Sequence, residues 1–271
     1  MTRFVFVANL SPFVFQLHWL GHTLSVRWYG MAYALGFLLT FLYFRGAARR
    51  GTIPGFDAAA LERLTLAVPA GVMVGGRLGF VVQHPHELLR DPLFVLRVWE
   101  GGMAFFGGLA GCLLALGWVA RSIGGRMSAL TDIAVFPAAL GLGFGRIANF
   151  VNGELVGRPT QGRWGVIFPQ VDGLPRYPSQ LFESVSEFLM FGVLVLVSRR
   201  CPEWVRARSG RLSFLFLALY GGLRFVTDFY RDDDTYWGPL SDGQWFSLLV
   251  CVIGLIGLAA FQRKVGLTVR A

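Results

Sequence analysis

Residues Met103 to Ala120 read MAFFGGLAGCLLALGWVA, eighteen consecutive positions without a charged side chain. An α-helix rises about 1.5 Å per residue, so a run of this length covers most of a hydrocarbon core about 30 Å thick. Six further long apolar runs lie on either side of it, near Trp28 to Phe44, Leu64 to Val82, Ile133 to Phe150, Leu181 to Ser198, Leu212 to Tyr230 and Trp245 to Phe261. The composition agrees: of 271 residues, 54% are apolar and 15% charged, with a mean hydropathy of +0.54. Such a chain is more apolar than a soluble domain, and it lacks the high charge of disordered segments. Three cysteines in this length do not make a disulfide framework. The expected fold is all-α, a polytopic membrane protein whose seven transmembrane helices form one integral membrane domain over residues 1–271. The opening stretch Phe4 to Val26 is apolar but broken by Asn9, Pro12, Gln16, His18 and His22. It reads as an interfacial segment and not as a cleaved signal peptide.

Orientation follows from the loops, because Lys and Arg are retained on the cytoplasmic side. The connections around Arg45 to Arg63, Arg121 to Arg126 and Arg199 to Arg211, with the tail Arg263 to Arg270, hold fourteen basic residues. The alternate set holds eight, Arg3, Arg27, Arg90, Arg97, Arg158, Arg163, Arg176 and Arg231, diluted by Glu87, Asp91, Glu100, Asp172 and the run Asp232 to Asp234. The N-terminus is therefore expected on the periplasmic face and the C-terminus in the cytoplasm. The net charge of +9 is spread over short loops beside membrane spans, which fits anionic lipid headgroups and not a nucleic-acid partner. Cys112 and Cys251 fall within apolar helices and Cys201 at a helix end, where reduced thiols are expected.

The remaining arginines, Arg77, Arg146 and Arg224, fall inside spans. Insertion scales put the cost of a central Arg at about 2.5 to 3.5 kcal/mol, so each needs a partner or a watery cavity, and intramembrane charge points to function. The bland alternative is snorkelling or a structural ion pair, and it weighs most for Arg77. Tyr220, Arg224 and Asp228 follow at i, i+4 and i+8, one helix face, so Asp228 is a natural partner for Arg224. Arg146 is followed by Asn149, Asn152 and Glu154, the last expected as its balancing carboxylate. A guanidinium has five donors and can hold a carboxylate while presenting a fork to a phosphate. Two arginines, two amides and balancing carboxylates suit a phosphate headgroup. Glycines surround these positions, notably Gly75, Gly76 and Gly79 near Arg77, and Gly101, Gly102, Gly107, Gly108 and Gly111 about Phe105 and Phe106. They serve either close helix packing or a backbone-lined lipid cavity.

The stretch Gly145 to Arg158, GRIANFVNGELVGR, resembles the signature of the bacterial prolipoprotein diacylglyceryl transferases. Further matches follow in the family's order: VRWYGMAY with Tyr29, GGRLGF with Arg77, GGMAFFGGLAG, TDIAVFP with Asp132, YPSQLFE with Gln180 and Glu183, and YGGLRFVTDFYR with Arg224. The resemblance covers nearly the whole chain, and its seven-helix topology with an outer N-terminus agrees with the independent reading. It implies an enzyme of the bacterial inner membrane, with its site toward the outer leaflet. Such an enzyme moves the diacylglyceryl group of phosphatidylglycerol to the lipobox cysteine beside a prolipoprotein signal peptide, forming a thioether and releasing glycerol phosphate. It implies no metal, nucleotide or other cofactor. By the same resemblance, Arg146 binds phosphatidylglycerol and Arg224 is essential, while Tyr29, Asn149, Glu154 and Gly157 fall on other important positions. Asp228 stands where many members carry Glu. Gly107, Gly108 and Arg77 are taken as further substrate-binding positions.

One departure bears on chemistry. Many members have a histidine before Gly-Gly-Leu on the third helix, proposed as the base for the cysteine, where this chain has Phe106. Nearby cations lower a thiol's pKa and favour the thiolate, and departure of a phosphate ester needs its negative charge stabilised more than it needs an acid. Arg146 and Arg224 suit both tasks, leaving Tyr29, Glu154, Asp228 or the lipid phosphate itself as proton acceptor. Of the other patterns, His84 with His86 could hold a metal only with more ligands, and His86 to Asp91 is a short HxxxxD match on the outer side. Competing readings are a lipid or anion transporter, for which no internal repeat is seen, and a binding relative without catalysis.

Overall fold

The computed structural model describes residues 6–19, 22–97, 101–162, 164–232 and 235–266. Of the loop charges above, Arg3, Glu100, Arg163, Asp233, Asp234 and Arg270 lie outside these residues. A short strand β1 (Phe6–Val7) precedes a hairpin of β2 (Phe13–Trp19) and β3 (His22–Arg27). Nine helices follow among the described residues, α1 (Trp28–Arg49), α2 (Ala58–Gln83), α3 (Pro85–Arg90), α4 (Phe105–Ser122), α5 (Met127–Asn152), α6 (Ser179–Arg200), α7 (Pro202–Ala207), α8 (Arg211–Thr227) and α9 (Asp242–Gly266). Strands β4 (Val166–Ile167) and β5 (Pro175–Arg176) interrupt the α5 to α6 connection, and β6 (Tyr236–Trp237) and β7 (Leu240–Ser241) the α8 to α9 connection. Helices α1, α2, α4, α5, α6, α8 and α9 are long and apolar enough to cross a membrane. This is a multi-pass membrane protein, and all seven expected spans are present. The helices run past the apolar cores because polar ends extend them: α2 begins six residues before Leu64, where Asp57 caps it through a 2.9 Å bond from the Ala60 N–H. The stretch read as interfacial forms the β2–β3 hairpin, with Phe13 opposite Arg27 and Leu17 opposite Leu24.

The chain divides into two compact units, 41–134 and 1–40 with 135–271. In the first, α2 and α4 pack closely along Gly71 and Gly75 on one helix and Gly107 and Gly111 on the other. A methyl group on Gly107 would run into the carbonyl of Gly75, and one on Gly71 would sit 2.5 Å from the carbonyl of Gly111. Small residues at i and i+4 let the backbones meet where lipid supplies no hydrophobic drive.

In the second unit, α8 meets α9 through Gly221, whose Cβ would lie 2.5 Å from the Ser247 carbonyl. Val135 and Ala139 of α5, Met190 and Leu194 of α6 and Leu212 of α8 form a buried apolar core. A small polar head grows from the far ends of these helices. There β1 pairs parallel with β4, and β4 antiparallel with β5. Gly157 bridges to Arg231 and is packed so tightly that a Cβ would lie 2.6 Å from the Tyr230 carbonyl. Arg176 ties the head together, donating to Asp172 at 2.7 Å, to Asp232 at 2.6 Å and to the Gly157 carbonyl at 2.9 Å.

Candidate active site

Two guanidiniums converge on one carboxylate where the apolar core of the second unit gives way to the head. Arg146, in the last turns of α5, places Nε 2.7 Å from Oε2 of Glu183. Arg224, at the end of α8, places Nη1 2.5 Å from the same oxygen and Nη2 2.8 Å from Oδ1 of Asp228. Arg231 reaches Oε1 of Glu183 at 4.0 Å. The carboxylates are sealed away, Glu183 at 2% exposure and Asp228 at 0%. Buried carboxylates of this kind persist only when paired. The guanidiniums keep more access, Arg146 at 15% and Arg224 at 11%. Nε of Arg146 faces Glu183, while its two Nη groups make no hydrogen bond among the described residues. They form a partly exposed fork of donors beside a second arginine, the arrangement that recognises phosphate.

The i, i+4 pairing of Arg224 with Asp228 is present as expected from spacing. The partner expected for Arg146 is not. Glu154 accepts instead from Asn149 Nδ2 at 3.0 Å and Asn152 Nδ2 at 3.3 Å. The reason is local: α5 ends at Asn152 and the chain reverses through Gly153 (φ +65°), so position i+8 leaves the face that carries Arg146. The turn is locked further by Gln180 Nε2 on the Glu154 carbonyl at 2.7 Å, by Ser179 on the Leu155 carbonyl at 3.1 Å, and by Leu155 in the left-handed region at φ +55°. Asn149 and Glu154 thus order the signature turn.

Tyr29 opens α1, and its ring meets Tyr33 at 5.3 Å; among the described residues it makes no hydrogen bond to either arginine. Arg77 is 4% exposed and its guanidinium is occupied by backbone carbonyls, with Nε on Val95 at 3.0 Å, Nη1 on Gly101 at 2.6 Å and Gly102 at 3.1 Å, and Nη2 on Phe94. It also lies 4.6 Å from the Phe94 ring centroid. These bonds clamp the connection from α2 to α4. His84 is engaged nearby, its Nδ1 2.9 Å from the Phe80 carbonyl. Gly107 and Gly108 lie in the first turns of α4, where Gly107 lets α2 approach. Phe106, beside them, is exposed and meets Phe105 edge to face at 5.5 Å.

Sequence reasoning paired Arg224 with Asp228 but quoted Glu183 only within the YPSQLFE match, without a partner, and passed over Glu187. Glu183 and Glu187 stand one turn apart inside an apolar helix, and that spacing was the signal available. Glu187 is 4% exposed and interacts electrostatically with Arg146, Glu183 and Arg224.

The family model described as prolipoprotein diacylglyceryl transferase matches residues 14–260. The chain belongs to that family. Among the transferases named phosphatidylglycerol--prolipoprotein diacylglyceryl transferase, that of Geobacter sulfurreducens is 41% identical over 266 residues, covering 95% of this chain and 98% of its own. The Cupriavidus metallidurans protein of the same name is 40% identical over 258 residues, 92% of this chain and 94% of its own. The Polynucleobacter asymbioticus protein is 39% identical over 238 residues, 85% and 90%. Within this transferase family the arginine pair, its shared acid and the signature turn are the features that the present chain assembles in one place.

Proposed function

We propose that this member of the family transfers the diacylglyceryl group of phosphatidylglycerol to the lipobox cysteine of prolipoproteins. The observation that carries the reading is the free fork of Arg146 next to Arg224, supported by the names of relatives at about 40% identity. The lipid phosphate lies against the two guanidiniums. Their field favours the thiolate of the incoming cysteine, which attacks the glycerol carbon bearing the phosphate. A carbon–sulfur bond forms as the carbon–oxygen bond breaks, and glycerol phosphate leaves with its charge matched by the same pair. The thiol proton is carried off on the departing phosphate, so the chemistry proceeds with Phe106 in the place of a histidine. Glu183 fixes both arginines, Asp228 fixes Arg224, and Asn149 and Glu154 hold the turn through which Gly157 meets the head.

The basic loops support an inner-membrane orientation with the N-terminus in the periplasm and the C-terminus in the cytoplasm. Arg146 and Arg224 then lie toward the outer leaflet, where the signal-peptide cysteine of an exported precursor is delivered. The test is reconstitution of purified protein with phosphatidylglycerol vesicles and a lipobox peptide. Glycerol phosphate should appear only when the peptide carries its cysteine, and Arg146→Ala should abolish it. Lipid binding with no release by folded wild-type protein would instead mark a binding relative without catalysis.

A further inference from the structure

Glu187 lies one turn beyond Glu183 on the same face of α6, deeper in the membrane. Its Oε2 is buried and makes no hydrogen bond. On one side it faces the charged cluster: Arg146 from α5, Arg224 and Tyr220 from α8, and Glu183 from its own helix. On the other side the helices close on apolar packing, with Phe188 against Gly143 and Met190 in the core with Val135 and Ala139. Arg146 and Arg224 already face two carboxylates, Glu183 and Asp228, and Arg231 stands 4.0 Å from Glu183. A phosphodiester adds one negative charge to them. An ionised Glu187 would add another, a fourth against three arginines, at a position with neither a hydrogen bond nor an ion pair among the described residues, and burying an unmatched charge costs more than keeping the carboxyl neutral.

We infer that Glu187 retains its proton while the anionic headgroup occupies the site, and that ionising it expels the anion. It is a charge-balancing, positioning residue that sets the affinity of the arginine pair for phosphate. The inference rests on the proposed use of that pair for an anionic phospholipid. Beneath the phosphate, α6 thereby presents a protonated carboxyl.

The test compares wild type, Glu187→Gln and Glu187→Met in mixed micelles of phosphatidylglycerol, with KM and kcat for the lipid followed from about pH 6 to about pH 9. Wild-type KM should rise about fivefold or more toward alkaline pH with a smaller change in kcat, since each unit beyond a titration midpoint is worth tenfold. Both variants should keep KM within about twofold of the wild-type acid limb at every pH, because each mimics the neutral acid. Infrared spectra of the lipid-loaded protein should show a protonated-carboxyl stretch that Glu187→Gln removes. An unchanged alkaline rise of KM in the variants would overturn the inference, as would loss of turnover in both while their thermal unfolding stays that of wild type. Absence of any wild-type turnover with phosphatidylglycerol would instead strike down the substrate reading beneath it.

Discussion

Nε of Arg146 stands 2.7 Å from Oε2 of Glu183, across two membrane helices that meet at the floor of the polar head. Glu183 is 2% exposed and is shared with Arg224, so deleting it leaves two neighbouring guanidiniums without their common counter-ion. Breaking a buried pair of this kind costs about 3–5 kcal/mol. Glu183→Ala should lower the thermal unfolding temperature in detergent and reduce diacylglyceryl transfer at least about a hundredfold. Glu183→Gln should recover part of the stability and little of the activity. Wild-type transfer by either variant would remove Glu183 from the site.

Arg224 uses its two terminal nitrogens on different acids, Nη1 on Glu183 and Nη2 on Asp228. A lysine is a single point charge and cannot span both. Arg224→Lys should therefore lose about tenfold or more in kcat/KM even though the charge is kept. Steady-state kinetics with phosphatidylglycerol in micelles would show it, and an unchanged value would mean that the fork geometry is immaterial.

Arg77 should behave differently from both. Its guanidinium already serves the carbonyls of Phe94, Val95, Gly101 and Gly102, so its loss unties the α2 to α4 connection. Arg77→Gln is expected to lower the unfolding temperature while the folded fraction keeps its KM for the lipid within about twofold. A large rise in KM without loss of stability would assign Arg77 to substrate binding.

The proton acceptor proposed above predicts the outcome of restoring a histidine. Phe106 is exposed in the first turn of α4, where an imidazole could be accommodated. Phe106→His should leave turnover unchanged or lower. A gain beyond about tenfold, the lower part of the range for general-base catalysis, would show that a base on α4 limits this enzyme.

The head carries a measurable pH dependence. Hydrogen bonds from Arg176 hold the Asp172 carboxyl below the usual aspartate range, and the same bond to Asp172 pushes Arg176 further up. A carboxylate depressed by folding stabilises the native form above its unfolded pKa of about 4, and that contribution fades as pH falls through the lowered value. Amide protection factors in residues 166–176, taken relative to the intrinsic exchange rate at each pH, should therefore fall below about pH 4 in wild type. In Asp172→Asn they should already be low at neutral pH and show little further change.

The parts of this molecule legible in its sequence are those governed by local periodicity. Long apolar runs located all seven spans, and the i, i+4 rule found Arg224 with Asp228. The partner of Arg146 escaped because it is tertiary: Glu183 arrives on another helix, while the nearer Glu154 is turned aside by the end of α5 at Asn152. The β2–β3 hairpin was hidden for another reason. Its alternation of Phe15, Leu17 and Trp19 with Gln16 and His18 is a strand pattern, but it sits in an apolar stretch broken by Asn9 and Pro12, which was read only as interfacial, with no secondary structure assigned. Gly75, Gly107 and Gly111 were noted only as packing or lining and Gly71 not at all, since close approach becomes evident only when the opposing backbone is in place.

The division of opposite charges among three helices also bears on how the protein is made. Helix α5 enters the bilayer carrying Arg146 before α6 and its acids have been synthesised, and α6 carries Glu183 and Glu187 before α8 delivers Arg224. Each helix alone is a costly passenger for the insertion machinery, at about 2.5 to 3.5 kcal/mol per central charge, while the assembled trio is neutralised from within. Stable insertion of α5 and α6 should therefore depend on the later arrival of α8, and a chain truncated before α8 should be recognised and degraded by membrane quality control.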